Sequence, residues 1–160
     1  METLAPEISD YELERGKPMP SLKHARIQKQ LVRQLENFLL DRYEVLAEIS
    51  LSISDGKMIP DVAVFVAGTL PNSAGPDFTA VSVVPRTAIE ILSPTQVIAE
   101  LLEKAGRYFA AGVQSYWLVV PELRAVAVYS APMKYKYFYN GDTLRDPVTG
   151  AEIVVSQLFD

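Results

Sequence analysis

The chain has 160 residues, no cysteine, 49% hydrophobic and 22% charged residues, and a formal net charge of −5. That length is one domain's worth, able to bury roughly 70% of its unfolded surface, and the composition is that of an ordinary globular protein. Disulfides, thiolate metal sites and a cysteine nucleophile are excluded, and no apolar run approaches the ~20 residues needed to cross a bilayer. The acidic start, Met1 to Glu7, lacks a signal-peptide core. A cytoplasmic protein with no membrane partner is expected.

Residues 1–20 read as a poorly packed lead-in that ends in the breaker cluster Gly16-Lys17-Pro18-Met19-Pro20, and residues 21–160 as a single domain. Ser21 is placed to cap a helix over 22–40, with Ile27, Leu31, Leu35, Phe38 and Leu39 on one face and Lys23, Arg26, Lys29 and Arg33 on another. Residues 15–35 hold six basic side chains, His24 and no acid, which leaves about −11 for the remainder. Such asymmetry fits either a phosphate footprint or a solvated helix face. Ile49, Leu51 and Ile53 alternate with Glu48, Ser50 and Ser52 as in a strand. A turn at Asp55-Gly56 follows, then a strand over 61–66.

Residues 67–85, rich in Gly, Pro, Asn and Ser, form a surface loop, and 87–92 a further strand. Ser93-Pro94-Thr95-Gln96 has the pattern of a capping box with proline at the first helical position, and predicts a helix ending near Ala111 at Gly112. Strands over 116–120, 125–130 and 134–139 complete the list. The order predicts a mixed α/β domain, a central sheet flanked by helices.

Asp61 and Glu90 stand out because each interrupts an apolar strand run, where a carboxylate is seldom buried without a partner or metal. On neighbouring strands about 4.8 Å apart, with small Ala63 and Ala88 beside them, both acids can reach one hard cation such as magnesium. The alternative is a strand-end bend at Asp61 and a lysine partner for Glu90. Glu100 and Lys104, spaced i, i+4, with Tyr108 one turn on, lie on the helix that leaves the Glu90 strand. They make either a surface ion pair or a lysine near the site that steadies developing charge. His24, one turn before Gln28, is either a phosphate contact or polar group facing the cleft, or an exposed or hydrogen-bonded helix histidine. Glu48 approaches the metal if the Ser50 and Ser52 face lines the cleft. Lys134 and Lys136, interleaved with Tyr135, Tyr137 and Tyr139, suit nucleic acid or a lysine-protected edge strand. Trp117 reads as core.

These segments, taken in order, resemble the Uma-type restriction-endonuclease family, a cyanobacteria-expanded branch of the PD-(D/E)XK nuclease superfamily. The resemblance is carried by Tyr11-Glu12-Leu13 with Gly16, His24 with Gln28, Pro60-Asp61-Val62-Ala63-Val64-Phe65 and Glu90-Ile91-Leu92-Ser93-Pro94-Thr95. It continues through Glu100 to Lys104, Tyr108, Ala111-Gly112-Val113 and Tyr116-Trp117-Leu118-Val119. It implies a restriction-endonuclease-like sheet with additional antiparallel strands toward the C-terminus. It also implies magnesium (or manganese) held by Asp61, Glu90 and the Ile91 carbonyl. The superfamily lysine normally follows its glutamate by two residues, where this chain has Leu92; the resemblance transfers the role to Lys104. Glu100 stands where many relatives have aspartate. The resulting expectation is a magnesium-dependent endonuclease acting on DNA as a homodimer, with Lys23, Arg26, Lys29 and Arg33 along the backbone and any targeting partner unspecified. The alternatives are a catalytically inactive nuclease-fold module for binding or assembly, and a hydrolase of a smaller phosphate ester.

Overall fold

A computed structural model of the chain describes residues 8–53 and 56–160. The helices are α1 (Asp10–Arg15), α2 (Leu22–Leu39), α3 (Ile98–Ala111) and α4 (Ser156–Phe159). The strands are β1 (Tyr43–Ala47), β2 (Val62–Val66), β3 (Thr87–Ile91), β4 (Ser115–Val120), β5 (Ala125–Ala131), β6 (Lys134–Tyr139), β7 (Thr143–Arg145) and β8 (Glu152–Val154). Strands β1 to β6 make one sheet in sequence order, and β7 and β8 form a separate hairpin. Every pairing in the large sheet is antiparallel except β3 with β4. A parallel pair needs a crossover, and α3 supplies it. The expected mixed sheet flanked by helices, with extra antiparallel strands toward the C-terminus, is the fold observed.

Period-two alternation divides the sheet into two buried faces. Val62, Val64, Ile89, Ile91, Trp117 and Val119 pack against Ile27, Leu31, Leu35 and Leu39 of α2, with Leu144, Ile153 and Leu158 closing one end. Ala63, Phe65, Ala88, Tyr116 and Leu118 pack on the other side against Leu101, Ala105 and Tyr108 of α3. Phe38, placed on the apolar stripe of α2 by spacing, is instead exposed. No helix among the described residues is long and apolar enough to cross a membrane.

Several boundaries differ from the sequence expectation. Residues 48–53, expected as a strand, form none; the first strand is β1, which ends just before them. It stops because Glu48 takes a left-handed φ of 55°, after which Leu51 makes only isolated bridges to Met58 and Val81. Asp55 of the expected turn lies outside the described residues. Helix α3 begins at Ile98 rather than after Ser93. Gln96 does fold back onto the Ser93 amide, its Oε1 accepting at 3.1 Å, but extended Val97 (φ −101°, ψ 145°) separates this turn from the helix. In the lead-in, α1 is held by a capping box: Ser9 Oγ accepts from the Glu12 amide, and the Glu12 carboxylate accepts from the Ser9 amide.

The far end of α3 closes as expected. Gly112 adopts φ 107°, and its amide and that of Val113 bond back to the Phe109 and Tyr108 carbonyls. An L side chain is strained there, so Gly112→Ala should cost about 1–2 kcal/mol. A lowered urea midpoint with an unchanged m-value checks this; an unchanged midpoint refutes it.

Candidate active site

Continuing the β2–β3 register Val62↔Ile89 and Ala63↔Ala88 by one residue sets Asp61 opposite Glu90. Glu90 shares the α3 face with Ala88, and Asp61, the residue just before β2, lies beside it. Each is 1% exposed. The two acids singled out in the sequence are thus side by side in the interior.

Asp61 is held from several sides. Its Oδ2 accepts from the Ile91 amide at 2.7 Å, and its Oδ1 lies 2.8 Å from Lys17 Nζ and 3.1 Å from His24 Nε2. Its backbone carbonyl accepts from Gln28 Nε2 at 2.8 Å and from the Glu48 amide at 3.2 Å. Burial raises the Asp61 pKa, but the His24 hydrogen bond and the Lys17 ammonium outweigh it and bring the carboxyl down to about 2. Glu90 has fewer partners. Its Oε1 accepts from the Tyr108 hydroxyl at 2.9 Å, whereas Oε2 is buried with no hydrogen-bond partner. Burial, reinforced by the Asp61 charge, holds the Glu90 pKa above its ordinary value. Burial and the Glu90 charge push the Tyr108 hydroxyl well above 10, so at neutral pH it remains a donor.

Lys17 was not singled out from the sequence. It is 8% exposed and donates to the Ile59 carbonyl at 2.7 Å and to Asp61 at 2.8 Å. Its Nζ also lies 3.9 Å from Glu90 Oε2. Burial lowers its pKa, but the Glu90 and Asp61 carboxylates more than compensate, so it ends above the ordinary lysine value. A lysine partner for Glu90, the alternative considered for that acid, is therefore present. It comes from the lead-in rather than from α3.

Two carboxylates against one ammonium, with one buried carboxylate oxygen left without a hydrogen bond, offer oxygen donors that suit a hard cation. No group of three or more His, Cys, Asp or Glu side chains gathers for a metal among the described residues. Any such ion would therefore take its remaining ligands from backbone carbonyl, water or substrate.

A family model described as "Uma2: Putative restriction endonuclease" matches residues 2–156. The chain belongs to the Uma2 family. A solved structure of a putative nuclease of the DUF820 group, from Anabaena variabilis ATCC 29413, superposes with a TM-score of 0.79 at 25% identity, covering 89% of this chain and 83% of that one. No curated protein matches this chain.

Within this Uma2 chain the remaining candidates divide clearly. His24, Gln28 and Tyr108 reach Asp61 or Glu90 directly. Glu48 touches the site through its backbone amide, while its side chain turns to Arg15 at 3.5 Å. Lys104 is half-buried, and its charge helps draw the Glu90 pKa down, but no hydrogen bond or ion pair joins it to the described residues. Glu100 is exposed in the first turn of α3. Lys23, Arg26, Lys29 and Arg33 are all exposed, and Lys23 lies 3.9 Å from Glu122. Tyr135, Tyr137 and Tyr139 are exposed on β6, an edge strand as expected.

Proposed function

We propose that the chain is a magnesium-dependent endonuclease that hydrolyses DNA phosphodiester bonds. The observation that carries this reading is the buried Glu90 Oε2, which lacks a hydrogen bond, beside Asp61 at the start of the neighbouring strand in a Uma2-family fold. Asp61 and Glu90 would hold the metal together with the Ile91 carbonyl. A metal held there would supply polarisation of the phosphoryl group and a lowered pKa for an attacking water. Tyr108 fixes the Glu90 carboxylate, and Gln28 and the Glu48 amide fix the Asp61 backbone. Lys104 supplies positive charge beside Glu90 for the developing phosphorane. The exposed cations of α2 flank His24 and Gln28 in sequence and neutralise the DNA backbone. A homodimer presents two such sites, one for each strand.

The Lys17–Asp61 ion pair favours a second reading, a nuclease fold kept for binding or assembly whose carboxylates are already neutralised from within. Calorimetric titration of Mn2+ into the wild type and Asp61→Asn, with and without duplex DNA, separates the two. The endonuclease reading expects binding in the wild type that is lost in the variant. Circular dichroism verifies that the variant is folded. No binding to the wild type, even with DNA present, supports the non-catalytic module.

A further inference from the structure

We propose that in the metal-free protein the Lys17 ammonium occupies the cation position between Asp61 and Glu90, and that a divalent metal binds there only by displacing it. The inference deepens the metal reading above and rests on it. Lys17 Nζ has three hydrogens; two are used by the Ile59 carbonyl and Asp61 Oδ1 at 2.7 and 2.8 Å. Glu90 Oε2, at 3.9 Å, is too far for a hydrogen bond yet has no other partner. The ammonium thus sits against both carboxylates while satisfying only one. A magnesium ion binds oxygen at about 2.0–2.1 Å. Held by Asp61 and Glu90, it would need the space the ammonium fills, and two cations cannot share a buried carboxylate pair without strong repulsion.

The lead-in is built so that Lys17 can leave. Helix α1 buries none of its residues, so its release uncovers no core. Lys17 follows Gly16, the left-handed end of α1 at φ 70°, where even a Cβ would meet nothing within 4 Å. The Arg15 side chain is 19% exposed and meets Glu48 at 3.5 Å, but its Nε and Nη2 are buried without a hydrogen bond, so release of the lead-in returns to water a guanidinium that the folded protein leaves unsatisfied. Lys17 and the Arg15 guanidinium both enter the interior, and of the two it is Lys17 that is hydrogen-bonded there. Metal binding and docking of the lead-in become alternatives, and a latch closed nine-tenths of the time weakens apparent metal affinity about tenfold.

The test uses the full chain as wild type and as Lys17→Met, which keeps the stem and removes the charge. Calorimetry with Mn2+ alone should show binding about tenfold tighter, or more, in Lys17→Met. Equal or weaker binding in the variant overturns the latch while leaving the metal site standing; absence of binding in both proteins overturns both. If Lys17→Met fails to fold, the wild type decides by amide hydrogen exchange. Saturation with Mn2+ should speed exchange at Glu12 to Gly16 as α1 is released, the reverse of the usual protection by a ligand. Unchanged or slower exchange there overturns the proposal.

Discussion

Glu90→Gln should lose DNA cleavage by at least about a hundredfold yet unfold at the wild-type temperature or above. Loss of activity follows if one of the two acids proposed to hold the metal is replaced by a neutral amide, which binds a hard cation poorly. Retained stability follows from the sign of the pKa shift. The Glu90 pKa is raised in the folded protein, first by burial and then by the Asp61 charge. Its ionised form is therefore worse off folded than unfolded, and its charge subtracts from stability at every pH above the folded pKa. An amide removes that charge and still offers an oxygen to the Tyr108 hydroxyl, now 2.9 Å from Oε1. Thermal denaturation and plasmid nicking with Mg2+ or Mn2+ check the two halves separately. Wild-type cleavage would remove Glu90 from the metal site. A large fall in unfolding temperature would make it a structural partner of Lys17 and Tyr108.

Asp61 and Glu90 were legible in the sequence because a carboxylate inside a β-branched run is an anomaly with few explanations. Their pairing was legible too, once β2 and β3 proved to be neighbours. Lys17 was not, for a physical reason: it is one of six cations between residues 15 and 35, and burial leaves no mark on the identity of a lysine. The breaker cluster around it correctly signals an irregular segment, but irregular backbone can still deliver a side chain into a cleft 44 residues away. Ser9 and Glu12 were a usable signal, since their three-residue spacing is that of a capping box and marks α1 as ordered. Strand β1 was missed because Glu48 reverses the chain just where the alternation of Ile49, Leu51 and Ile53 suggests continuation. The location of α3 was legible, but not its start, because a Ser-x-x-Gln turn can close on itself without propagating.

The β7–β8 hairpin is tied to the sheet by Asp146, and this contact carries the second large expected effect. Asp146 is fully buried. Its Oδ1 accepts from Trp117 Nε1 at 3.0 Å, and its Oδ2 from the Thr149 amide and hydroxyl, both at 2.7 Å, and from the Val148 amide at 3.3 Å. The carboxyl thus joins the turn at 146–150 to the middle of β4. Asp146→Ala deletes the acceptor and strands these donors where water does not reach, so it should cost about 3 kcal/mol or more. Asp146→Asn keeps one oxygen for the Thr149 side but turns an N–H against that of Trp117, so about 1–2 kcal/mol is expected. Trp117 is the only tryptophan, so urea denaturation followed by its fluorescence reports on this contact directly. An Asp146→Ala midpoint equal to wild type would show that the hairpin is not held through Asp146. Trp117 lies on the α2 face of the sheet, whereas Glu90 projects from the α3 face. Metal binding per folded molecule should therefore survive Asp146→Ala. A matching loss of affinity would mean that the two faces are coupled through β4, whose Leu118 sits beside Glu90 in the parallel register.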